Sequence, residues 1–331
     1  MRIAIAGLGS IGRRHLRVAT RCFPGLETIA VRSGFGGVIP EEDQLTCTVS
    51  DANEAVALKP DVAIIASPAP FHIDQALAFL GAGIPVLIEK PLAVTLHDGE
   101  RLVQSDVAQS NAFARSAVGY VLRHQPAFDA VLEVFKRRRL GALRSTRIEA
   151  YSYLPEWRPG QDFRGTVSAS LELGGGVLRE LSHEIDYASV LCGRVTSVIG
   201  WRNSRTSLDV DVDEHVEFML RHDGDHITSL SLDFGTRGPT KRCMRAVFDD
   251  GSLEWDLKLG WVKIDGWKHP NSYRTYQVER DEMFALQLCD FVDAGMKKLR
   301  PKCTIDDGLQ VLHVMEAVER SFVSGTWERV S

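Results

Sequence analysis

Three stretches hold the residues best suited to chemistry. Gly7, Gly9 and Gly12 stand in G-x-G-x-x-G spacing, after the uncharged run Ile3-Ala4-Ile5-Ala6 and before a polar, helix-compatible segment that opens with Ser10 and Ile11. In that context the first glycine permits a tight turn, the second lets backbone approach a pyrophosphate, and the third allows the helix to pack closely on the strand. The new helix offers unpaired N–H groups and a positive dipole end to phosphate. Lys90 follows the apolar run Ile84–Ile88 and lies between Glu89 and Pro91. Proline fixes the backbone there and admits a cis peptide bond, which would aim the ammonium. The third stretch, Leu173–Tyr187, reads as a loop of Gly174, Gly175 and Gly176 opening one amphipathic helix. Arg179, His183 and Asp186 fall on one face of that helix, and Leu178, Leu181 and Ile185 on another. Imidazole titrates near neutrality and serves as a general acid or base, while an ammonium steadies negative charge on oxygen. The plainer alternatives are a flexible glycine loop, a solvated lysine and a structural histidine.

The elements that must position these groups alternate strand and helix as far as residue 120. Leu26–Val31 reads as a strand ending at Arg32-Ser33, 20 residues beyond Gly12, where an acidic residue would meet the ribose of NAD. With a guanidinium and a hydroxyl there and no adjacent Asp or Glu, the position suits the 2′-phosphate of NADP, although an arginine stacked on adenine would serve NAD equally. A capping pattern at Asp51–Glu54 opens a short helix. Val62–Ala66 is a strand leading to the turn Ser67-Pro68-Ala69-Pro70, and the helix carrying Ile73, Ala76, Leu77 and Leu80 ends at Gly81-Ala82-Gly83. Ile84–Ile88 is the next strand, Thr95 caps a helix reaching about Ala108, and Ala117–Tyr120 completes a doubly wound parallel sheet. Ligands of such sheets lie outside the carboxyl ends of the strands, where Lys90 falls.

After residue 120 the pattern changes. Pro126 opens a helix with Phe128, Val131, Leu132 and Phe135 on one face. Strand-like runs then follow at Leu143–Tyr153, Val195–Arg202, Glu214–Arg221, Ile227–Phe234, Lys241–Phe248 and Ser252–Asp256. Val216, Phe218 and Leu220 alternate with Glu217, Met219 and Arg221, as in an antiparallel sheet with one solvated or partner-covered face. Two helices close the chain. The fold class is therefore α/β: a Rossmann doubly wound sheet over residues 1–120, and over 121–331 an α+β domain with a large, open, mostly antiparallel sheet.

Composition narrows the function. At 331 residues, with 44% hydrophobic and 25% charged residues, the chain is an ordinary globular protein long enough for two domains. A net charge of −5 argues against a nucleic-acid or anionic-membrane binder, and Lys136–Arg139 reads as a dipole-complementing helix end. No membrane span or signal-peptide pattern is present. Six dispersed cysteines without metal-ligand spacing point to free thiols in the cytoplasm, with no metal expected.

The sequence resembles the glucose–fructose oxidoreductase and inositol dehydrogenase family, Gfo/Idh/MocA, over nearly its whole length. The resemblance rests on Gly7-x-Gly9-x-x-Gly12 with His15, on Ser67-Pro68 with His72, on Ala82-Gly83 leading to Glu89-Lys90-Pro91, and on the later glycine triplet with His183. It implies reversible hydride transfer between a nicotinamide cofactor, NADP or NAD, and a secondary alcohol of a sugar, sugar acid or nucleotide sugar. It also implies homodimers or homotetramers built through the open sheet. By that resemblance Lys90 contacts the reacting hydroxyl and His183 is the acid/base, with Gly7, Gly9, Ser10, Ile11, Gly12, Arg32, Ser33, Ser67, Pro68, His72, Glu89 and Lys90 at the cofactor. One departure stands out: the family often has an aspartate four residues before that histidine, and here Arg179 occupies the place. Glu180 or Asp186 is the neighbouring carboxylate, but a shift of one residue turns a helical side chain by about 100°. Substrate candidates are Lys90, Tyr120, Trp157, Arg158, Arg164, Arg179 and His183, with Tyr151 and Tyr153 nearby. Aromatic faces suit sugar rings and guanidinium groups suit carboxylate or phosphate; a surface loop packed on the sheet is the alternative for residues 151–164. The run 154–164 resembles a subgroup linked to surface-sugar and sialic-acid-like pathways, implying an anionic or nucleotide-linked amino sugar. A redox sensor without turnover and a glycoside-cleaving enzyme with no net redox change are the competing functions.

Overall fold

The computed structural model describes residues 1–34, 37–203, 207–267 and 270–331, which form two compact units. The first comprises Met1–His124 and Glu279–Leu312. Its strands are β1 (Arg2–Ala6), β2 (Glu27–Val31), β3 (Cys47–Val49), β4 (Val62–Ile65), β5 (Val86–Ile88) and β6 (Ala117–Val118), in the order β3-β2-β1-β4-β5-β6 with every pairing parallel. β1, β4 and β5 are uncharged beyond their first residues because helices cover both faces of the sheet. The helices are α1 (Ser10–Cys22), α2 (Ala52–Ala57), α3 (His72–Gly81), α4 (Leu96–Val103) and α5 (Asn111–Ala114). Asp51 caps α2 and Thr95 caps α4 as the sequence predicts; α4 stops at Val103, short of the expected Ala108.

The second unit, Gln125–Val278 with His313–Ser331, opens with α6 (Pro126–Arg137) and holds β7 (Leu143–Tyr151), α7 (Val177–Glu180), α8 (His183–Cys192), β8 (Val195–Arg202), β9 (His215–His222), β10 (Ile227–Asp233), β11 (Lys241–Phe248), β12 (Gly251–Asp256), β13 (Trp261–Gly266) and β14 (Ser272–Thr275). With β15 (Glu328–Arg329) these make a nine-stranded sheet in the order β14-β13-β12-β11-β7-β10-β9-β8-β15, antiparallel except for the β7–β10 pair. In β9 Val216, Phe218 and Leu220 are buried and Glu217, Met219 and Arg221 exposed, the period of two seen in the sequence. On the covered face α6 and α8 meet the sheet through Trp255, whose ring lies 6.3 Å from Phe128 and 5.6 Å from Tyr187.

One return of the chain was not visible in the strand pattern. α9 (Arg280–Lys297) belongs to the first unit, as does α10 (Ile305–Ser324) up to Leu312. Phe284, Leu288 and Phe291 of α9 join Ile3, Ile5, Leu16 and Ile64 in one core. Burying three such side chains contributes on the order of 5–9 kcal/mol of transfer free energy, so α9 is integral to the sheet that carries the glycine loop.

Candidate active site

In the first unit, β1 lies at the centre of the sheet, where successive connections change direction; the crevice of a doubly wound sheet opens there. Each glycine has a distinct surrounding. Gly7, at φ +86°, could not carry a Cβ: the atom would sit 2.6 Å from the backbone nitrogen of Ser67. A Cβ on Gly12 would lie 1.9 Å from the carbonyl oxygen of Gly7, so α1 touches the loop backbone directly. Around Gly9, by contrast, a Cβ would meet nothing within 4 Å. Gly9 and Ser10 are exposed, Ile11 is half-buried, and the 13-residue α1 that begins there has no acidic residue in its first turn. Two glycines thus close the cradle from within and one leaves it open outward, a shape that fits a dinucleotide pyrophosphate against a helix N-terminus.

At the end of β2 the structure adds a residue that spacing alone could not supply. The Arg32 guanidinium sits 3.2 and 3.3 Å from the two carboxylate oxygens of Glu42 and also donates to the carbonyl of Gly37. Ser33 is exposed beside it. The position expected to lack a carboxylate therefore has one, delivered by the 3-10 turn Glu42–Gln44.

Ser67, Pro68, His72, Glu89 and Lys90 gather at the ends of β4 and β5. Ser67 Oγ donates to Gln75 at 2.8 Å, and both Ser67 and Pro68 are half-buried. His72 is 1% exposed, with Nδ1 3.0 Å from the carbonyl oxygen of Pro91 and Nε2 2.9 Å from that of Ser67. Burial holds its imidazole below the usual range against both carbonyls, so at neutral pH only one of the two contacts is a donated hydrogen bond. The ring is packed between the two strand ends and hydrogen-bonds one of them. Glu89, 7% exposed, meets Nε2 of buried His15 at 2.6 Å and accepts the Lys90 backbone N–H at 3.3 Å. His72 and Glu89 thus set backbone from the interior, and Glu89 links α1 to the Lys90 segment. The Lys90–Pro91 peptide is cis, and Lys90 is half-buried. Tyr120, at 0% exposure, is a core residue.

In the second unit the predicted single helix is two. α7 ends as Leu181 adopts φ −102°, ψ 27°, and α8 starts at His183 beyond fully buried Ser182. The break removes the common face expected for Arg179, His183 and Asp186. Arg179 instead pairs with Glu319 of α10 at 2.8 Å and is 12% exposed. Burial, reinforced by Asp213, pushes the Glu319 carboxyl above its ordinary range against the pull of Arg179. Asp186 is buried, Glu180 and His183 half-buried. The carboxylate next to the histidine, Glu184, is 0% exposed and gripped by Arg242 of β11 at 2.6 and 2.8 Å, a bidentate pair no local pattern announced. Gly175 belongs to a close approach: a Cβ there would fall 2.3 Å from the Val167 carbonyl oxygen. Of the aromatic segment, Trp157 packs edge-on against Phe234 at 6.0 Å, Arg158 is half-buried, and exposed Arg164 lies over Phe163.

A doubly wound sheet with a glycine cradle at its central crevice defines a dinucleotide-binding α/β protein. The chain belongs to the GFO/IDH/MocA family: the model described as "Oxidoreductase family, NAD-binding Rossmann fold" matches residues 1–116, and the "GFO/IDH/MocA C-terminal domain" model matches 128–254. It is 29% identical over 223 residues to an inositol 2-dehydrogenase of Acidothermus cellulolyticus, an alignment covering 63% of this chain and 60% of the relative. In structure it resembles levoglucosan dehydrogenase in complex with NADH (TM-score 0.86, 19% identity, 100% of this chain and 99% of that one). It also resembles the WlbA dehydrogenase of Bordetella pertussis in complex with NADH and UDP-GlcNAcA (TM-score 0.82, 18% identity, 100% and 99%). At that identity the likeness is one of fold.

Proposed function

We propose that this protein is a nicotinamide-dependent oxidoreductase acting on a secondary hydroxyl of a sugar, sugar acid or nucleotide sugar. The observation that carries the reading is the cradle at Gly7, Gly9 and Gly12, closed by protein backbone on two sides and open at Gly9. Gly9, Ser10 and Ile11 would hold the pyrophosphate, and the Arg32–Glu42 pair would meet the adenosine ribose. A carboxylate at that place suits a 2′-hydroxyl and repels a 2′-phosphate, so NAD replaces NADP as the cofactor favoured. The bound cofactor supplies the hydride acceptor or donor. Lys90 steadies the developing charge on the substrate oxygen, and His183 takes or returns the hydroxyl proton. His15, Glu89 and His72 hold the Lys90 backbone in place. Arg179, shared with Glu319, serves an anionic group of the substrate. Trp201 and Met219, 53% and 39% exposed on the uncovered face of the large sheet, support self-association through that face. Six free thiols support a reducing compartment, the cytoplasm, and among the described residues no helix is long and apolar enough to cross a membrane.

The test offers NAD with a panel of inositols, sugar acids and nucleotide sugars to the native chain and to Lys90→Met and His183→Ala, following NADH absorbance. Each variant is expected to lose at least about a hundredfold in turnover while binding NADH normally. Near-native turnover in both would remove the mechanism.

A further inference from the structure

Beyond the proposed reaction, the second unit brings together three side chains that no step above uses. Cys192 ends α8, His222 ends β9, and His226 lies on the turn joining β9 to β10. One ligand atom from each residue lies within 4.8 Å of the others. Cys192 and His222 are 5% and 2% exposed, and His226 is half-buried. Among the described residues this is the one group of three or more histidine, cysteine or carboxylate side chains so arranged.

The hydrogen bonds around the cluster favour coordination. His222 Nδ1 lies 2.8 Å from the carbonyl oxygen of Gly193, and a carbonyl only accepts, so the ring proton sits on Nδ1. Its Nε2 is left with a lone pair, met by the Thr228 hydroxyl at 2.9 Å. An imidazole donating one N–H to a backbone carbonyl while the other nitrogen keeps its lone pair is the arrangement that orients metal-bound histidines. His226 stacks on His222 with ring centroids 4.8 Å apart and planes 10° from parallel. Its Nε2 is sealed from solvent with no hydrogen-bond partner, a costly state for a polar atom unless something else satisfies it. The Cys192 thiol meets the Thr146 hydroxyl at 3.4 Å.

We propose that Cys192, His222 and His226 form a binding site for a borderline-soft divalent cation of the zinc class. One thiolate and two imidazoles are a donor set such ions prefer, with water as the fourth ligand of a tetrahedron. The 4.8 Å limit is about 1 Å wider than tetrahedral zinc imposes on its ligands, and His226, on the turn beside Gly224 and Asp225, is the member placed to close it. Binding exchanges the Cys192 thiol proton for the metal and releases that proton to solvent. The ion would tie the last residue of α8 to the β9–β10 turn, about 14 Å along the helix from His183.

The experiment strips the full chain with a chelator and titrates it with Co²⁺ alone, then displaces the cobalt with Zn²⁺. Expected are one equivalent of thiolate-to-cobalt charge-transfer absorption and tetrahedral d–d bands, abolished in Cys192→Ser. In His226→Ala the affinity falls at least about tenfold. Zn²⁺ also raises the melting temperature of the native chain more than that of His226→Ala. Absence of the charge-transfer band overturns the proposal, and so does a band that survives in Cys192→Ser, which would place the metal on another thiol. His226→Ala alters a half-buried turn residue and decides the question should Cys192→Ser fold poorly: unchanged cobalt affinity there refutes the site.

Discussion

Substituting alanine separately at Gly9 and Gly12 tests the cradle. At Gly12 the new methyl would stand 1.9 Å from the Gly7 carbonyl oxygen and 3.0 Å from its carbon, so helix and loop must part by more than an ångström. Gly7 cannot yield easily, because its N–H bonds the Val31 carbonyl at 3.0 Å and its own Cβ direction is filled by Ser67. Overpacking of this kind costs about 1–3 kcal/mol or more, and alanine's better helix propensity returns only about 1. A net loss of ~2 kcal/mol lowers the melting temperature by roughly 4–8 °C, without any cofactor present. Gly9 behaves in the opposite way. Its backbone, at φ −69° and ψ −168°, accepts alanine, and the methyl meets no protein atom within 4 Å. The apo Gly9→Ala protein should melt within about 2 °C of native, yet bind NADH at least about tenfold more weakly, a loss of ~1.4 kcal/mol. Differential scanning fluorimetry of the apo forms and a fluorescence titration with NADH supply both readouts. Native NADH affinity in Gly9→Ala, or an unshifted melting temperature in Gly12→Ala, would refute the division of labour between the glycines.

Two further outcomes follow from charges at identified positions. Replacing Glu42 with Gln removes the carboxylate beside Arg32, so the ratio of NADP to NAD affinity should rise by about fivefold or more, ~1 kcal/mol; a ratio unmoved in parallel titrations counts against Glu42 as the discriminating group. In the second unit, the hydrogen bond to Asp233 outweighs burial and raises the His215 imidazole above its ordinary value, with Glu217 adding to the effect. Burial opposes, but bonds from His215 and Thr236 still hold the Asp233 carboxyl down. A raised histidine stabilises fully below its unfolded value of about 6.5 and loses that stabilisation as pH climbs through the folded value. His215→Gln should therefore cost about 1 kcal/mol near pH 5.5 and much less at pH 8.5 by urea unfolding, and a cost that grows with pH would contradict the pairing.

Sequence alone determined what depends on near neighbours. The uncharged strands, the caps at Asp51 and Thr95, the glycine spacing and the alternation in β9 are local, because side-chain periodicity and backbone conformation are set within a few residues. These features were enough to define the parallel sheet, the larger antiparallel one and the family. Strand β14 and the short β3 and β15 escaped because brief or polar edge strands carry little periodic signal, and β13, an inner strand between β12 and β14, escaped because only Val262 of its six residues is buried.

Only the tertiary structure decided the rest. Helical periodicity runs unbroken through Leu181 and Ser182, yet the chain parts there into α7 and α8, so Arg179 finds Glu319 while Glu184 finds Arg242. Glu42 meets Arg32 from ten residues further along the chain, and Cys192, at the end of α8, meets His222 and His226 of the β9–β10 hairpin some 30 residues on. Ion pairs and ligand clusters of this kind form where strand order and a returning helix bring distant residues together. Contacts at such separations obey packing and charge compensation, and these leave no repeat in the chain for a sequence reader to find.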